Sequence, residues 1–229
     1  MSKTAPYQTP LASQRIKAEL LPRSPYDVAY TPDRLVAGFA FEIQTGLHAF
    51  ASDRISPFVT PPSTLAFTPI GCDVLSKSRI GGEYLTVNVA EQDLEQLLGQ
   101  QSLCAHRYNN ATNKKAIALA EALRNKLLLA AEDTLGLEET AILFFELSAF
   151  TTSTDNQYRK PASSMTPRRW RLFHDLLEAD LSDTPSIGRM AQELGLSGSF
   201  FIRAFSAATG STPHAYSIRR RINEARTKL

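Results

Sequence analysis

The sequence has 229 residues, of which 43% are hydrophobic and 21% are charged, and its formal net charge is +2. This length and composition are typical of a globular protein of one or two domains with enough apolar sequence to build a core. We find no run of 18 apolar residues and no apolar N-terminal segment, so we expect no membrane span, no secretory signal and a cytoplasmic location.

Cysteine spacing and charge distribution further narrow the class of protein. Cys72 and Cys104 lack CxxC spacing, which favours two free thiols over a redox pair. From Thr166 onward ten Lys and Arg stand against six Asp and Glu, a balance of +4, whereas the preceding part has fifteen against seventeen, or −2. A basic C-terminal part favours contact with nucleic acid, and the same charge also serves solubility alone.

The first half of the chain has the pattern of strands. Residues 1–34 are rich in Pro, Ser and Tyr without periodicity, which predicts an arm or an irregular lead-in. Short apolar runs over residues 35–89 predict strands, with turns at Thr45-Gly46 and Gly81-Gly82. Long helices are excluded here by four prolines: Pro57, Pro61, Pro62 and Pro69.

After Val89 the apolar spacing becomes helical. We predict a short helix over residues 91–98, a loop over 103–110, and long helices over about 111–131 and 137–149. The second long helix is apolar on nearly all sides, so it must be buried on several of them. It packs either against the strands or in the seam of a dimer.

A polar stretch over residues 151–166 predicts an interdomain linker. The next helix begins at Thr166-Pro167, where Pro suits the first helical position. Its predicted inner face consists of Trp170, Phe173, Leu177 and Leu181.

Two short amphipathic helices and the start of a third follow, each with its own boundary signals. Gly195 and Gly210 tolerate the positive φ of a helix end, Ser197 can cap the second helix, and Thr212-Pro213 can begin the third. The apolar face of the first helix is Ile187, Met190, Ala191 and Leu194, and that of the second is Phe201, Ala204, Phe205 and Ala208. Two helices joined by a three-residue turn containing Gly predict a helix-turn-helix, whose second helix enters a DNA major groove.

This region resembles the DNA-binding domain of the AraC family of transcription regulators. The residues that carry the resemblance are Ile187, Met190-Ala191, Gly195-Leu196-Ser197, Phe201, Arg203, Phe205, Gly210, Thr212-Pro213, Tyr216, Arg221, Ala225 and Leu229. The family's domain has two such units joined by a long helix. The sequence ends within the residues that correspond to this helix, so we expect the first unit only.

Residues 61–85 resemble, more weakly, the sensor domain of the same family, a cupin-like β-barrel. The matching residues are Pro61 to Gly71 and Gly82 to Leu85. The resemblance implies a small barrel that can hold one ligand. Candidates to line it are Phe39, Phe41, Ile43, His48 and Tyr84, each of which can instead be core, because alternation along a strand does not say which residues point inward.

Candidate DNA contacts begin with Arg203, which can bind guanine or a phosphate, or form a surface ion pair. Ser199 and Ile202 match positions at which the family commonly touches bases, and Ile202 can alternatively belong to the core. Ser197 and Thr212 can hold phosphates at helix starts or simply cap their helices. The remaining candidates are Ser206 on the same helix, Arg168 and Arg169 on the supporting helix, and Arg220 on the third, where solvated faces are the alternative.

Other chemistries have little support in the sequence. Of the four His, only His48 lies among the predicted strands, so a metal-binding cupin is not expected. No GxSxG, HExxH or P-loop motif is present, and we predict neither an enzyme nor a cofactor.

The fold class predicted is α+β, with a cupin-like sensing and dimerisation domain at 1–152, a linker at 153–165 and a helix-turn-helix domain at 166–229. The function predicted is a transcription regulator of the AraC type, with DNA, a small-molecule effector and a second copy, bound through helices 111–150, as partners. The alternative is a ligand-binding or dimerisation module that does not bind DNA by itself.

Overall fold

A computed structural model of the chain describes residues 11–12, 15–98, 106–129, 133–151, 164–179 and 185–227. It has a β-rich N-terminal part and a helical C-terminal part, which confirms the α+β class. The strands are β1 Leu11–Ala12, β2 Ile16–Leu21, β3 Tyr26–Tyr30, β4 Leu35–Ala40, β5 Gln44–Phe50, β6 Ser56–Thr60, β7 Thr64–Thr68, β8 Val74–Ser78, β9 Tyr84–Val89 and β10 Tyr108–Ala111.

The helices follow the strands in sequence. After a 3-10 turn at Glu91–Asp93, they are α1 Leu94–Leu98, α2 Lys114–Leu129, α3 Thr134–Ala149, α4 Pro167–Ala179, α5 Ile187–Glu193, α6 Gly198–Thr209 and α7 Pro213–Thr227. The predicted helices near 91–98, 111–131 and 137–149 are therefore present with small shifts at their ends. Leu181, Cys104 and most of the predicted linker lie outside the described residues.

The strands form two antiparallel sheets. Sheet A has the order β1-β2-β9-β4-β7-β10 and sheet B the order β3-β8-β5-β6. The sheets face each other, since the guanidinium of Arg107, next to β10 of sheet A, lies over the ring of Phe50 in sheet B. This arrangement is the cupin-like barrel that the sequence resemblance implies.

The main core lies on the outer face of sheet A. Along β2, for example, Ile16, Ala18 and Leu20 are buried while the residues between them are only half-buried. The pairing of Ala18 with Val87, and of Val87 with Ala37, keeps the buried set on one side of the sheet. Helices α2 and α3 cover this face with Leu123, Leu127, Ala141, Phe144 and Phe145, among others. The packing of α3 against the strands, one of the two alternatives, is thus observed.

Three sequence expectations about the strands are wrong. Residues 16–21 and 26–30 are strands, not an irregular lead-in, and the alternation in IKAELL is the pattern that identifies the first of them. Thr45-Gly46 is not a turn, because it lies inside β5. The predicted loop at 103–110 contains the start of β10, which pairs with β7.

The second core belongs to the C-terminal helices. Trp170, Phe173, Phe201, Phe205 and Tyr216 pack together with ring centroids 4.9–6.0 Å apart. Ile43 of the barrel is buried in this core, and Val59 packs against it. The helical unit is therefore seated directly on one end of the barrel.

Gly46 gives a test of the β5 assignment. A Cβ built there lies 2.0 Å from the backbone oxygen of Lys77 in β8 and 2.9 Å from the Phe58 ring. Because a neighbouring strand would have to shift, we expect Gly46→Ala to lower the free energy of unfolding by about 1–3 kcal/mol in urea titrations. The matched control is Gly188→Ala, on an exposed helical turn with Ser186 Oγ 3.9 Å away. This control should be neutral or stabilising by roughly 0.5–1 kcal/mol, and equal losses in both variants would contradict the assignment.

Candidate nucleic-acid interface and effector barrel

Local hydrogen bonds set the angle between α5 and α6. The hydroxyl of Ser186 accepts from Arg189 N and that of Ser197 from Phe200 N, so each helix has a side-chain cap. Gly195 and Gly210 have φ of +64° and +77°, the left-handed conformation expected where each helix ends. Ser197, Gly195 and Gly210 are boundary signals read from the sequence, whereas the Ser186 cap is found in the structure.

The outward face of α6 carries side chains suited to a DNA groove. Ser199 and Arg203 are exposed, Ser206 is half-buried, and Phe201 and Phe205 point into the core. Ile202 is 38% exposed, which excludes the alternative that it belongs to the core. Phe200, 40% exposed next to Ser199, adds an apolar contact that periodicity did not single out. The face therefore presents a cation, hydroxyls and apolar groups together.

The two capping residues in the candidate set are already hydrogen-bonded. Ser197 accepts from Phe200 N, and Thr212 accepts from Ala215 N at the start of α7. Both are exposed, so each can cap its helix and still stand next to a phosphate.

The arginines on the flanking helices differ in role. Arg168 is exposed at the start of α4. Arg169 donates to Leu194 O at 3.0 Å and Ser164 O at 2.7 Å, which ties α4 to the turn before α6. Arg220 is only 4% exposed and pairs with Glu178, so the expectation that it contacts DNA is wrong for this arrangement of the chain. Its neighbour Arg221 is exposed instead.

A buried polar network joins α7 to the barrel and to α2. Arg124 of α2 binds both carboxylate oxygens of Glu83, at 2.9 and 3.0 Å, and donates to Asn223 Oδ1 of α7 at 2.8 Å. The Asn223 amide donates in turn to Glu83 Oε2 at 2.9 Å and to Glu42 Oε1 at 3.3 Å. Burial raises the pKa of Glu83, while the hydrogen bonds and charge of Arg124 act in the opposite direction.

Further contacts surround this network. The backbone N–H of Ile43 donates to the Tyr216 hydroxyl at 3.0 Å, and Ser63 donates to the carbonyl of Thr209. Arg219 of α7 binds Glu121 of α2 at 2.6 Å and the carbonyl of Phe41 at 3.0 Å. Helix α7 is thus held along its length by backbone and side-chain groups of the barrel and α2.

A second ionic cluster lies on the other side of the helical unit. Glu178 of α4 accepts from Arg220 of α7 and from Arg23 of the barrel. His174 lies beside them, with Nδ1 3.5 Å from Glu178 Oε1 but aligned for no hydrogen bond, and neither ring nitrogen has a partner among the described residues. Burial first, and then the charges of Arg220 and Arg23, lower the pKa of His174 to about 4.

The family model of bacterial regulatory helix-turn-helix proteins, AraC family, matches residues 177–216. This range begins in α4, contains all of α5 and α6, and ends at Tyr216 in α7. Residues 177–216 are an AraC-family helix-turn-helix. The resemblance drawn from the sequence is confirmed for this AraC-family unit.

Solved structures similar to this chain include an AraC-like transcriptional activator and a putative isomerase. The AraC-like transcriptional activator CuxR shares 14% identity over 92% of this chain and 76% of its own, with a TM-score of 0.40. ToxT from Vibrio cholerae shares 12% over 89% and 98%, with a TM-score of 0.34. A putative mannose-6-phosphate isomerase from Ralstonia eutropha JMP134 shares 18% over 35% and 81%, with a TM-score of 0.29. TM-scores of this size support no conclusion about function, and no curated protein matches the sequence.

The strands of the barrel have one side covered by helices and one side that faces the barrel interior. The five candidate ligand-binding residues divide between these two sides. Phe39 and Phe41 lie in the core under α2 and α3, and Ile43 lies in the helical core, so the expectation that these three line the barrel interior is wrong. The strand pleat puts residues of odd number in β4 on the helix side. His48 and Tyr84 have the opposite orientation and do face the interior.

The contacts of these two residues with their neighbours agree with this orientation. His48 stacks on Phe58 with centroids 4.9 Å apart. Tyr84 lies across Gly38, where an added Cβ would be 2.1 Å from the Tyr84 hydroxyl. Burial raises the pKa of Tyr84, with the nearby Tyr30 and Tyr26 of sheet B adding to the effect. Tyr84 therefore lies between the two sheets.

Two further features concern metal and membrane. Within the described ranges, no group of three or more His, Cys, Asp or Glu is placed to hold a metal ion. The same residues include no helix long and apolar enough to cross a membrane.

Stability should depend on pH through His174. The unfolded chain takes up a proton at His174 as the pH falls below about 6.5, whereas the folded protein does so only near pH 4. Between these two pH values the unfolded state binds more protons than the folded state. The free energy of unfolding therefore falls, as the pH decreases, by up to about 1.4 kcal/mol per pH unit. Urea titrations of His174→Gln from pH 7 to 4.5 should show a shallower loss, and the exposed His214→Gln should follow the parent protein. Parallel curves for all three proteins would refute the assignment.

Proposed function

We propose that the chain is a transcription regulator of the AraC type, which binds specific DNA sequences through α6 and whose DNA binding is modulated by a small molecule in the barrel. The observation that carries the proposal is the AraC-family helix-turn-helix with an exposed face of Ser199, Ile202 and Arg203. A guanidinium, hydroxyls and an apolar side chain on one helix can read guanine, phosphate and thymine methyl groups.

The proposed site on DNA separates into reading and anchoring groups. Arg203, in the middle of α6, is placed to reach base edges, while Arg168 and the capped starts of α6 and α7 are placed to reach phosphates. Arg169 acts indirectly, because its bonds to Leu194 O and Ser164 O hold the turn that sets the angle of α6.

We also propose that two copies act together through α3. Leu135 and Leu143 are exposed large apolar residues on this helix, whose opposite side is buried against sheet A. One helix-turn-helix reads about one groove segment, and a second copy raises the effective concentration of the other. A stoichiometry of two chains per DNA site supports this part of the proposal.

The DNA reading experiment compares three arginines. Genomic fragments selected by the protein are titrated at several salt concentrations. Arg203→Ala should cost about 1–3 kcal/mol on the preferred sequence and relax selectivity at one base pair, since a bidentate base contact is lost. Arg168→Ala should weaken all sequences alike and reduce the salt slope by about one, as expected for a phosphate contact.

Arg54→Ala is the matched control for the lost charge, because Arg54 is exposed on the barrel between β5 and β6. It should bind DNA like the parent protein. Absence of salt-dependent, selective binding by the parent chain would overturn the proposal and favour a module that does not bind DNA by itself.

The coupling of effector to DNA is assigned to the network around Asn223. Of the network residues, Asn223 alone belongs to α7, whereas Glu42, Glu83 and Arg124 belong to the sensor part. A ligand can change DNA affinity only if it prefers one arrangement of the two parts, and this network distinguishes a docked from an undocked α7.

Asn223→Ala tests the coupling. A compound found in a thermal-shift screen should still raise the melting temperature of Asn223→Ala, but its effect on DNA affinity should shrink at least severalfold, because α7 loses its contacts with Arg124, Glu83 and Glu42. The control is Ile222→Ala, an exposed neighbour on the same helix. An unchanged effector response in Asn223→Ala would exclude the network as the link.

A further inference from the structure

Arg107 lies inside the barrel and has no acidic partner in the part of the chain that the structure describes. Its guanidinium lies 3.0 Å from the ring centroid of Phe50 and donates to Asn109 Oδ1 at 2.5 Å. Its Nε is buried and has no hydrogen-bond partner, and among the described residues no carboxylate lies within ion-pair distance. Burial lowers the pKa of Arg107 to about 10.

Three other arginines at or near the barrel show what this position lacks. Arg124 is paired with Glu83, Arg220 with Glu178 and Arg219 with Glu121. Each of these carboxylates offsets the cost of removing a guanidinium from water. A positive charge withdrawn from water with no counter-charge is unfavourable, and such groups occur where a ligand supplies the missing charge.

The surroundings of Arg107 suit an anion attached to an apolar or aromatic body. Tyr30 and Tyr84 lie close enough to affect its charge, and their hydroxyls can donate to an anionic oxygen. His48, Phe50 and Phe58 form an aromatic wall on the facing sheet, in which His48 stacks on Phe58 and meets Phe50 edge-on. The inner side chains of sheet A near them, such as Val36, Ala66 and Thr86, are only half-buried, unlike the fully buried outer face. These inner positions are therefore partly open to solvent, whereas Ala40 and Thr64 on the same side are buried.

We propose that the barrel binds a small organic anion whose carboxylate or phosphate group pairs with the Arg107 guanidinium while its body lies against the His48–Phe58 wall. This inference rests on the proposed function, since it names the chemical class of the effector. It is independent of the DNA-binding half of that function, and so is its test.

The test uses the full chain without DNA and matched probes: benzoate, phenyl phosphate, inorganic phosphate and the neutral isostere benzamide. At concentrations up to about 10 mM, any probe with a Kd below that value raises the melting temperature measurably. We expect benzoate or phenyl phosphate to raise it and benzamide to have no effect. Benzoate against phenyl phosphate distinguishes the two anionic groups, and inorganic phosphate shows whether the apolar body is needed.

Variants at Arg107 and Arg54 show whether the rise in melting temperature depends on Arg107. Arg107→Gln should abolish the shift, Arg107→Lys should retain part of it as a monodentate cation, and Arg54→Gln should behave like the parent. The proposal is overturned if no organic anion raises the melting temperature, if benzamide acts as well as benzoate, or if Arg107→Gln responds like the parent protein.

Stability without ligand gives a second readout. Since Arg107 has no carboxylate partner among the described residues, Arg107→Gln should melt at the same or a higher temperature than the parent, as expected for a residue kept for binding. Arg124→Gln, which strands the buried Glu83, should melt lower. A loss in Arg107→Gln as large as that in Arg124→Gln would make Arg107 a structural residue and refute the proposal. Anion binding that leaves DNA affinity unchanged would instead count against the coupling alone.

Discussion

A buried ionic contact within the sensor part, that between Arg124 and Glu83, forms the centre of the polar network on which α7 docks through Asn223. Glu83 is fully buried, and a carboxylate in that position costs several kcal/mol unless its oxygens are hydrogen-bonded. Arg124 satisfies both oxygens, and the amide of Asn223 completes the site while also reaching Glu42. The carboxylates of Glu83 and Glu42 face one close guanidinium, that of Arg124, so the amide donor of Asn223 is needed as well. The polar groups at this end of the barrel are therefore all hydrogen-bonded only when the helix-turn-helix is docked.

The pleat of the strands brings this contact next to the barrel interior. Glu83 and Tyr84 are consecutive, so Glu83 points to Arg124 while Tyr84 points between the sheets. The same holds at Ile43 and Gln44: Ile43 enters the helical core, and Gln44 accepts from Tyr26 at 3.2 Å inside the barrel. A ligand that moves Tyr84 or Gln44 therefore displaces residues that hold α7, with no long chain of intermediates.

Some features of the fold could be read from residue patterns, and others could not. The helix-turn-helix was predictable because its signals are local: a cap at Ser197, glycines at 195 and 210, and an apolar spacing of three and four. The inward face of the barrel was not, since Phe39 and Tyr84 are both compatible with either side until the register with neighbouring strands is known. Arg220 was misassigned for a similar reason, because its partner Glu178 is 42 residues away in sequence. Glu42, between Phe41 and Ile43, was a visible anomaly, but its partner Asn223 could be found only in three dimensions.

The contrast between Arg124 and Arg107 separates a structural charge from a functional one. Both guanidinia are withdrawn from water at the barrel, and both lie near aromatic rings. Arg124 has a carboxylate of the chain and therefore stabilises the docked arrangement, whereas Arg107, among the residues described, contacts an amide oxygen and a ring but no carboxylate. An anionic ligand would supply to Arg107 in the barrel the negative charge that Glu83 supplies to Arg124. Tyr84 is close to Arg107 and adjacent to Glu83. The ligand's charge would therefore act one residue away from Glu83, whose carboxylate accepts from Asn223 of α7.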